Sequence, residues 1–91
     1  VYLFAEALIA GGVQEGLDPK VATRLAYQTI EGAVAMLKET GSSPKELRDM
    51  VTSPGGTTLA GLTRLAAGQF TETVIAGVAT ASRRSKELGQ G

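Results

Sequence analysis

The sequence predicts an all-α domain of five helices, three long and two short. Apolar residues recur every three or four positions through most of the chain, and no segment alternates between apolar and polar residues as a half-exposed strand does. Of the 91 residues, 43% are hydrophobic but only 4% are aromatic, so the apolar side chains are mostly small. Such a composition favours helices whose backbones approach each other closely.

The first two helices have clear start and stop signals. The first is predicted over residues 1–15, with Gly16 in the left-handed position that suits glycine. The second begins at Asp18 and Pro19, because an N-cap carboxylate followed by proline at the first helical position is a strong start signal. It runs to Thr40. At about twenty residues, this helix would be roughly 30 Å long, which is the length of a small domain.

Three further helices complete the predicted domain. A short one has Ser43 as its cap and Pro44 as its first residue, and it reaches residue 51 or 52. The fourth begins at or just after Thr57 and ends at Gly68, and the last spans residues 71–88. The residues of the last helix that are predicted to face inward are Val74, Ile75, Val78 and Ala81.

The apolar faces of the first, second and last helices are too wide for a single small domain to bury. Folding of a chain of this size buries only about 60–65% of the surface that the unfolded chain exposes, so an isolated domain is marginally stable. Self-association is therefore the physical expectation.

Charge and residue content exclude several classes of function. Nine basic and nine acidic residues cancel, so neither nucleic acid nor an anionic membrane surface is expected as a partner. The chain has no cysteine and no histidine, which excludes thiol nucleophiles and removes the usual ligands of a zinc site; no metal is expected. No apolar run approaches the ~18–20 residues of a membrane span, and the start lacks the basic region of a signal peptide, so the cytoplasm is the expected location.

One segment carries chemistry, the loop of residues 53–58 between the third and fourth helices. The first N–H groups of the helix that begins near Thr57 have no helical partners, and the helix dipole adds partial positive charge, so a small carboxylate fits there. Glycines let a ligand approach the backbone, and the hydroxyls of Ser53, Thr57 and Thr58 can donate and accept. The alternative is that Pro-Gly-Gly is only a turn and that the hydroxyls are only caps. Spacing alone leaves both interpretations open.

The segment from Asp49 to Leu62, DMVTSPGGTTLAGL, closely resembles the signature of pyrroline-5-carboxylate reductases. The similarity extends over essentially the whole chain: VYLFAEAL at the start, AYQTIEGAVAML in the second helix and SRRSKEL near the end follow the order and spacing of that family. The resemblance implies that residues 1–91 are the C-terminal helical dimerisation and substrate-binding domain.

The resemblance also implies an activity and partners. Enzymes of this family reduce the C=N bond of 1-pyrroline-5-carboxylate with NADPH or NADH to give L-proline, the last step of proline biosynthesis. An N-terminal Rossmann domain, absent from this chain, would hold the dinucleotide. The helical domain would intertwine with that of a second subunit in a homodimer, and dimers of the family often assemble further into decamers.

By the same resemblance, the loop is the substrate site. Ser53, Gly55, Gly56 and Thr57 match residues that bind the substrate, with the backbone N–H groups around Gly56 and Thr57 on its carboxylate. Thr58 matches a threonine whose hydroxyl donates to the ring nitrogen, which makes it the expected catalytic residue.

Two alternatives belong to other classes of protein. One is a helical association module that binds no ligand, and the other is the helical C-terminal domain of a β-hydroxyacid dehydrogenase. The latter enzymes use a lysine carried on a helix, whereas the lysines Lys20, Lys38, Lys45 and Lys86 lie near predicted helix ends, which argues against that alternative.

Overall fold

A computed structural model of the chain describes residues 1–90, and no strand occurs among them. The five helices are α1 (Tyr2–Gln14), α2 (Pro19–Thr40), α3 (Pro44–Met50), α4 (Thr57–Ala67) and α5 (Phe70–Gly89). The prediction of an all-α chain with five helices is confirmed, and the predicted helix ends differ from these by at most two residues. The chain divides into two compact units, Val1–Leu47 and a second unit that begins at Arg48.

The connection between α1 and α2 is a glycine C-cap. Gly16 has φ +105°, its N–H donates to the carbonyl oxygen of Val13 at 3.0 Å, and the N–H of Leu17 donates to that of Gly12 at 3.0 Å. This pair of bonds is the Schellman arrangement, which satisfies two carbonyl groups at the end of α1 and turns the chain towards α2.

The helices α1 and α2 pack where their side chains are smallest. Ala22 and Ala26 of α2 are 3% and 6% exposed, and they are the only buried residues of the part of the chain that the structure describes. A Cβ atom on Gly12 of α1 would lie 3.3 Å from the Cβ of Ala22 and 3.2 Å from Cδ1 of Leu17. The crossing therefore depends on glycine and alanine, as the composition predicts.

The predicted caps of α2 are present. The Asp18 carboxylate accepts a hydrogen bond from the N–H of Lys20 at 2.9 Å, and Gly41 follows the helix in the left-handed conformation with φ +69°. Local cap chemistry thus fixes both ends of the longest helix.

A reciprocal pair of hydrogen bonds begins α3. The Ser43 hydroxyl accepts a hydrogen bond from the N–H of Glu46, and the Glu46 carboxylate accepts one from the N–H of Ser43, both at 3.1 Å. These bonds form a capping box, and the hydrogen bond from the backbone N–H of Ser43, followed by the interaction with the Ser43 side chain, lowers the pKa of the Glu46 carboxyl below its ordinary value of 4.5. The Ser43 cap expected from the sequence is therefore present, with Glu46 completing it.

In the second unit, α4 and α5 are joined by Gly68 and Gln69. Gln69 is left-handed, with φ +58° and ψ +42°; its N–H donates to the carbonyl oxygen of Ala66, and its own carbonyl oxygen accepts from the N–H of Thr73 at 2.9 Å. Gln69 thus bonds to the end of α4 and is also the N-cap residue of α5, so only two residues join the two helices.

The last helix differs from the prediction. Val74, Ile75 and Val78 are 51%, 63% and 66% exposed, and Ala81 is exposed as well. The prediction that these residues face inward is wrong for the single chain, because α5 contacts α4 but buries no residue against it. The periodicity correctly identified an apolar face; the described residues of this chain do not cover it.

Candidate functional site

The loop between α3 and α4 contains a tight turn over residues 53–56. Pro54 occupies its second position and Gly55, with φ +71°, its third, which is the pattern of a type II turn. The N–H of Gly56 donates to the carbonyl oxygen of Ser53 at 3.1 Å. The expectation that Gly56 offers its amide to a ligand therefore differs from the structure, because the turn itself uses that donor.

Gly56 has a different role in the turn. A Cβ atom at this position would lie 2.5 Å from the hydroxyl oxygen of Ser53 and 3.3 Å from the Ser53 carbonyl oxygen. The absence of a side chain on Gly56 therefore leaves the space that the Ser53 hydroxyl fills. The two residues are coupled, so a change at either one changes the shape of the loop.

The beginning of α4 leaves three amides open. Gly56 is the N-cap residue, with φ −85° and ψ 175°, and it provides no side-chain cap. The first bond of the helix runs from the N–H of Ala60 to the carbonyl oxygen of Gly56 at 3.2 Å, and the N–H groups of Thr57, Thr58 and Leu59 have no acceptor among residues 1–90. Three convergent donors at the positive end of a helix dipole form a site that suits a carboxylate.

Three hydroxyls lie beside these amides. Ser53 and Thr57 are exposed and Thr58 is half-buried, and none of their hydroxyls has a hydrogen-bond partner in the described part of the chain. By contrast, Thr52 and Thr63, which precede and follow them, each donate to a carbonyl oxygen four residues earlier. The loop hydroxyls are thus available to a ligand, whereas the flanking ones are already used.

Leu59 adds a third open donor that the resemblance to the reductases does not name. Its amide belongs to the same set as those of Thr57 and Thr58, since the first three N–H groups of a helix that starts at Thr57 all lack helical acceptors. The predicted start of α4 at or just after Thr57 therefore already implied this donor.

The loop is largely exposed, since only Gly56 and Thr58 of residues 53–58 are half-buried. Two grooves beside the α4–α5 connection are both lined by Leu65 and Phe70, and neither includes any residue of the loop. Within residues 1–90, no group of three or more acidic, cysteine or histidine side chains could hold a metal ion. None of the helices described has the length and apolar character needed to cross a membrane.

Comparison with known proteins decides the family. The model of the family described as "Pyrroline-5-carboxylate reductase dimerisation" matches residues 1–88. The chain belongs to this family. The resemblance to pyrroline-5-carboxylate reductases is therefore confirmed. It extends beyond the loop to residues 1–88, which match the dimerisation domain of that family.

Several relatives of the chain are named pyrroline-5-carboxylate reductases. A pyrroline-5-carboxylate reductase of Arabidopsis thaliana is 48% identical over 99% of this chain and 33% of its own length. One from Methanosarcina acetivorans is 47% identical over 99% of this chain and 33% of its own length, and pyrroline-5-carboxylate reductase 3 of Danio rerio is 46% identical over 98% and 31%. The chain thus spans about a third of the length of the curated relatives it matches.

A solved structure has the same arrangement of helices. Plasmodium falciparum pyrroline carboxylate reductase with NADP bound superimposes with a TM-score of 0.93 at 41% sequence identity. The match covers 97% of this chain and 36% of that one.

Proposed function

We propose that this chain is the C-terminal helical domain of a cytoplasmic pyrroline-5-carboxylate reductase, which reduces 1-pyrroline-5-carboxylate to L-proline with NADPH or NADH. The observation that carries the proposal is the loop before α4. In a chain that belongs to the dimerisation family, this loop holds three open amides and three unpaired hydroxyls next to one another.

The substrate carboxylate binds to the N–H groups of Thr57, Thr58 and Leu59, with the Ser53 hydroxyl as a further donor. Gly55 and Gly56 shape the turn, since one has a positive φ and the other leaves room for the Ser53 side chain. The anionic substrate complements the positive end of the α4 dipole. Binding by backbone donors also accounts for a site without histidine, cysteine or lysine.

Thr58 is the proposed catalytic residue of the chain. Its half-buried hydroxyl is free of intramolecular hydrogen bonds and lies one residue into the helix whose amides hold the carboxylate. It donates to the ring nitrogen of the imine and so stabilises the electron pair that moves onto that nitrogen as hydride arrives at the C=N carbon, and the nitrogen then takes up a proton from solvent. This contribution is one of orientation and electrostatics.

A nicotinamide dinucleotide would supply the hydride when bound, and by the resemblance to the reductases an N-terminal Rossmann domain would hold it. The relative from Plasmodium falciparum has NADP bound, which supports a dinucleotide as the cofactor. The residues of this chain hold and orient the substrate ring. No metal enters this scheme.

A second copy of the chain completes the domain. The exposed apolar faces of α1 and α5, together with a core of two alanines, support an intertwined homodimer as the smallest stable unit. Association of such dimers into a decamer is part of the proposal.

An activity assay with the full-length protein that contains this chain tests the proposal. Oxidation of NADPH or NADH, followed by absorbance, is expected to depend on 1-pyrroline-5-carboxylate and to produce L-proline. A folded protein with a bound dinucleotide that does not consume this substrate would contradict the proposal. That result would favour the second candidate, a helical association module without a ligand, which the exposure of the loop also allows.

A further inference from the structure

Thr52 connects the end of α3 to the turn that precedes α4. Its hydroxyl donates to the carbonyl oxygen of Arg48 at 2.6 Å, and its N–H donates to the carbonyl oxygen of Asp49 at 3.2 Å. The N–H of Val51 donates to the Arg48 carbonyl oxygen as well, at 3.3 Å. These bonds satisfy carbonyl groups that the end of α3 leaves without helical donors, and they tighten its last turn.

Ser53 comes directly after Thr52, so the backbone at Thr52 sets where the turn begins. Within the turn, the Ser53 carbonyl oxygen accepts from the Gly56 N–H, and the Ser53 hydroxyl lies against the position that a Gly56 side chain would take. Ser53 is exposed, and no residue of the described chain holds its hydroxyl. Its position therefore depends on the turn on one side and on the half-buried Thr52 on the other.

We propose that Thr52 is a positioning residue for the substrate carboxylate. By closing α3 through its hydroxyl, it fixes the backbone that carries Ser53 and so holds the Ser53 hydroxyl on the loop that also presents the open amides of α4. Thr52 acts through Ser53 and does not contact the substrate. The inference rests on the proposed function, whose substrate and site it takes as given.

The bond alone does not distinguish this role, since threonines near helix ends often donate to the carbonyl group four residues earlier. Thr63 forms such a bond inside α4, to the carbonyl oxygen of Leu59 at 2.8 Å, and helix continues on both sides of it. The loop directly follows Thr52, whereas further helical residues follow Thr63. Thr63 therefore provides a matched control.

Steady-state kinetics of the full-length protein test the inference with three variants. Thr52→Val removes the hydroxyl but keeps the branched shape, Thr52→Ser keeps the hydroxyl, and Thr63→Val removes the equivalent bond elsewhere. Thr52→Val is expected to raise KM for 1-pyrroline-5-carboxylate about 3- to 10-fold, while kcat and KM for the dinucleotide change less than about 2-fold. Thr52→Ser and Thr63→Val should keep KM near that of the wild type.

Each other result overturns the inference. An unchanged KM in Thr52→Val, a fall in kcat with KM unchanged, or an equal rise in KM in Thr63→Val would assign the Thr52 bond to general stability. A Thr52→Val protein that does not fold would also assign the Thr52 bond to general stability. A Thr52→Ser protein with a raised KM would lead to the same conclusion. A wild-type protein that does not turn over the substrate counts against the proposed function, whereas an active wild type with an indifferent Thr52→Val variant counts against Thr52 alone.

Discussion

Thr58 is a half-buried residue in the first turn of α4, with exposed neighbours on both sides. Because its hydroxyl has no partner within the described chain, Thr58→Ala removes no bond from the folded domain. We expect this variant to lose about 1–3 kcal/mol of transition-state binding, seen as a lower kcat/KM for the imine with the dinucleotide KM nearly unchanged. Thr63→Ala is the control, and an undiminished kcat/KM in Thr58→Ala would remove Thr58 from its proposed role.

The contact between Gly56 and Ser53 leads to a second prediction. A side chain at Gly56 must displace the Ser53 hydroxyl, since its Cβ would lie 2.5 Å from that oxygen. Gly56→Val is therefore expected to reduce kcat/KM more than Thr58→Ala does, mainly through KM for the imino acid. Gly89→Val, at a glycine with open space around it, should leave the kinetics unaltered. A wild-type KM in Gly56→Val would show that the Ser53 hydroxyl is not a substrate ligand.

At the residue scale, the sequence predicted the loop that carries the proposed site but not every open donor in it. A proline and two glycines before a helical pattern indicate a loop that leads into a new helix, whose first amides are open. The resemblance to the reductases indicated which residues of this loop would bind the substrate. The hydrogen bond from the N–H of Gly56 to the carbonyl oxygen of Ser53 is the bond expected of a Pro-Gly turn, an alternative that spacing alone left open. The positive φ of Gly55 and the 3.1 Å bond show that this turn forms.

At the scale of elements, the capping box of α3 has a pH dependence that can be measured. The hydrogen bonds from Ser43 lower the pKa of Glu46, so the ionised carboxylate stabilises the folded chain above pH 4.5, and this contribution is lost as the pH falls through the lower folded-state pKa. Glu46→Ala should therefore lower Tm near neutral pH, with a difference from wild type that shrinks on acidification. Thermal unfolding across the acid range measures this, with Glu39→Ala as the control. A difference that stays constant with pH would contradict the role of the carboxylate.

The helix starts with local cap chemistry were predicted correctly, whereas the start of α5 was not. Asp18 and Ser43, each followed by proline, place the starts of α2 and α3 correctly because a cap involves only neighbouring residues. The start of α5 was predicted one residue late. There, Gln69 adopts the left-handed conformation, which glycine usually takes, so no residue type indicates it.

At the scale of the whole molecule, the chain leaves most of its large apolar side chains exposed. Periodicity shows which residues of α5 share a face, but it cannot show whether the same chain or another covers that face. The sequence therefore predicted the helix correctly and its inward side wrongly. Self-association is expected because Ala22 and Ala26 bury too little apolar area to stabilise a domain with this much exposed apolar surface.

Self-association can be tested on α5. Val78→Asp places a charge on the apolar face formed with Val74 and Ile75, where a second copy would bury it, and should weaken association roughly 100-fold or more. Sedimentation velocity at micromolar concentration should find the wild type at least dimeric and this variant dissociated. Arg83→Asp, on a different side of α5, is the control and should stay associated. A monomeric wild type would contradict the need for a second copy.

The most direct test of the central claim is a titration of the full-length protein with L-proline, followed through the amide resonances of the loop by NMR. We expect the resonances of Thr57, Thr58 and Leu59 to shift most, that of Gly56 to shift less because its N–H is bonded to Ser53, and pyrrolidine, which lacks the carboxylate, to shift none of them. Saturation by L-proline with the Thr57–Leu59 amides unmoved would contradict the claim that this loop binds the substrate carboxylate.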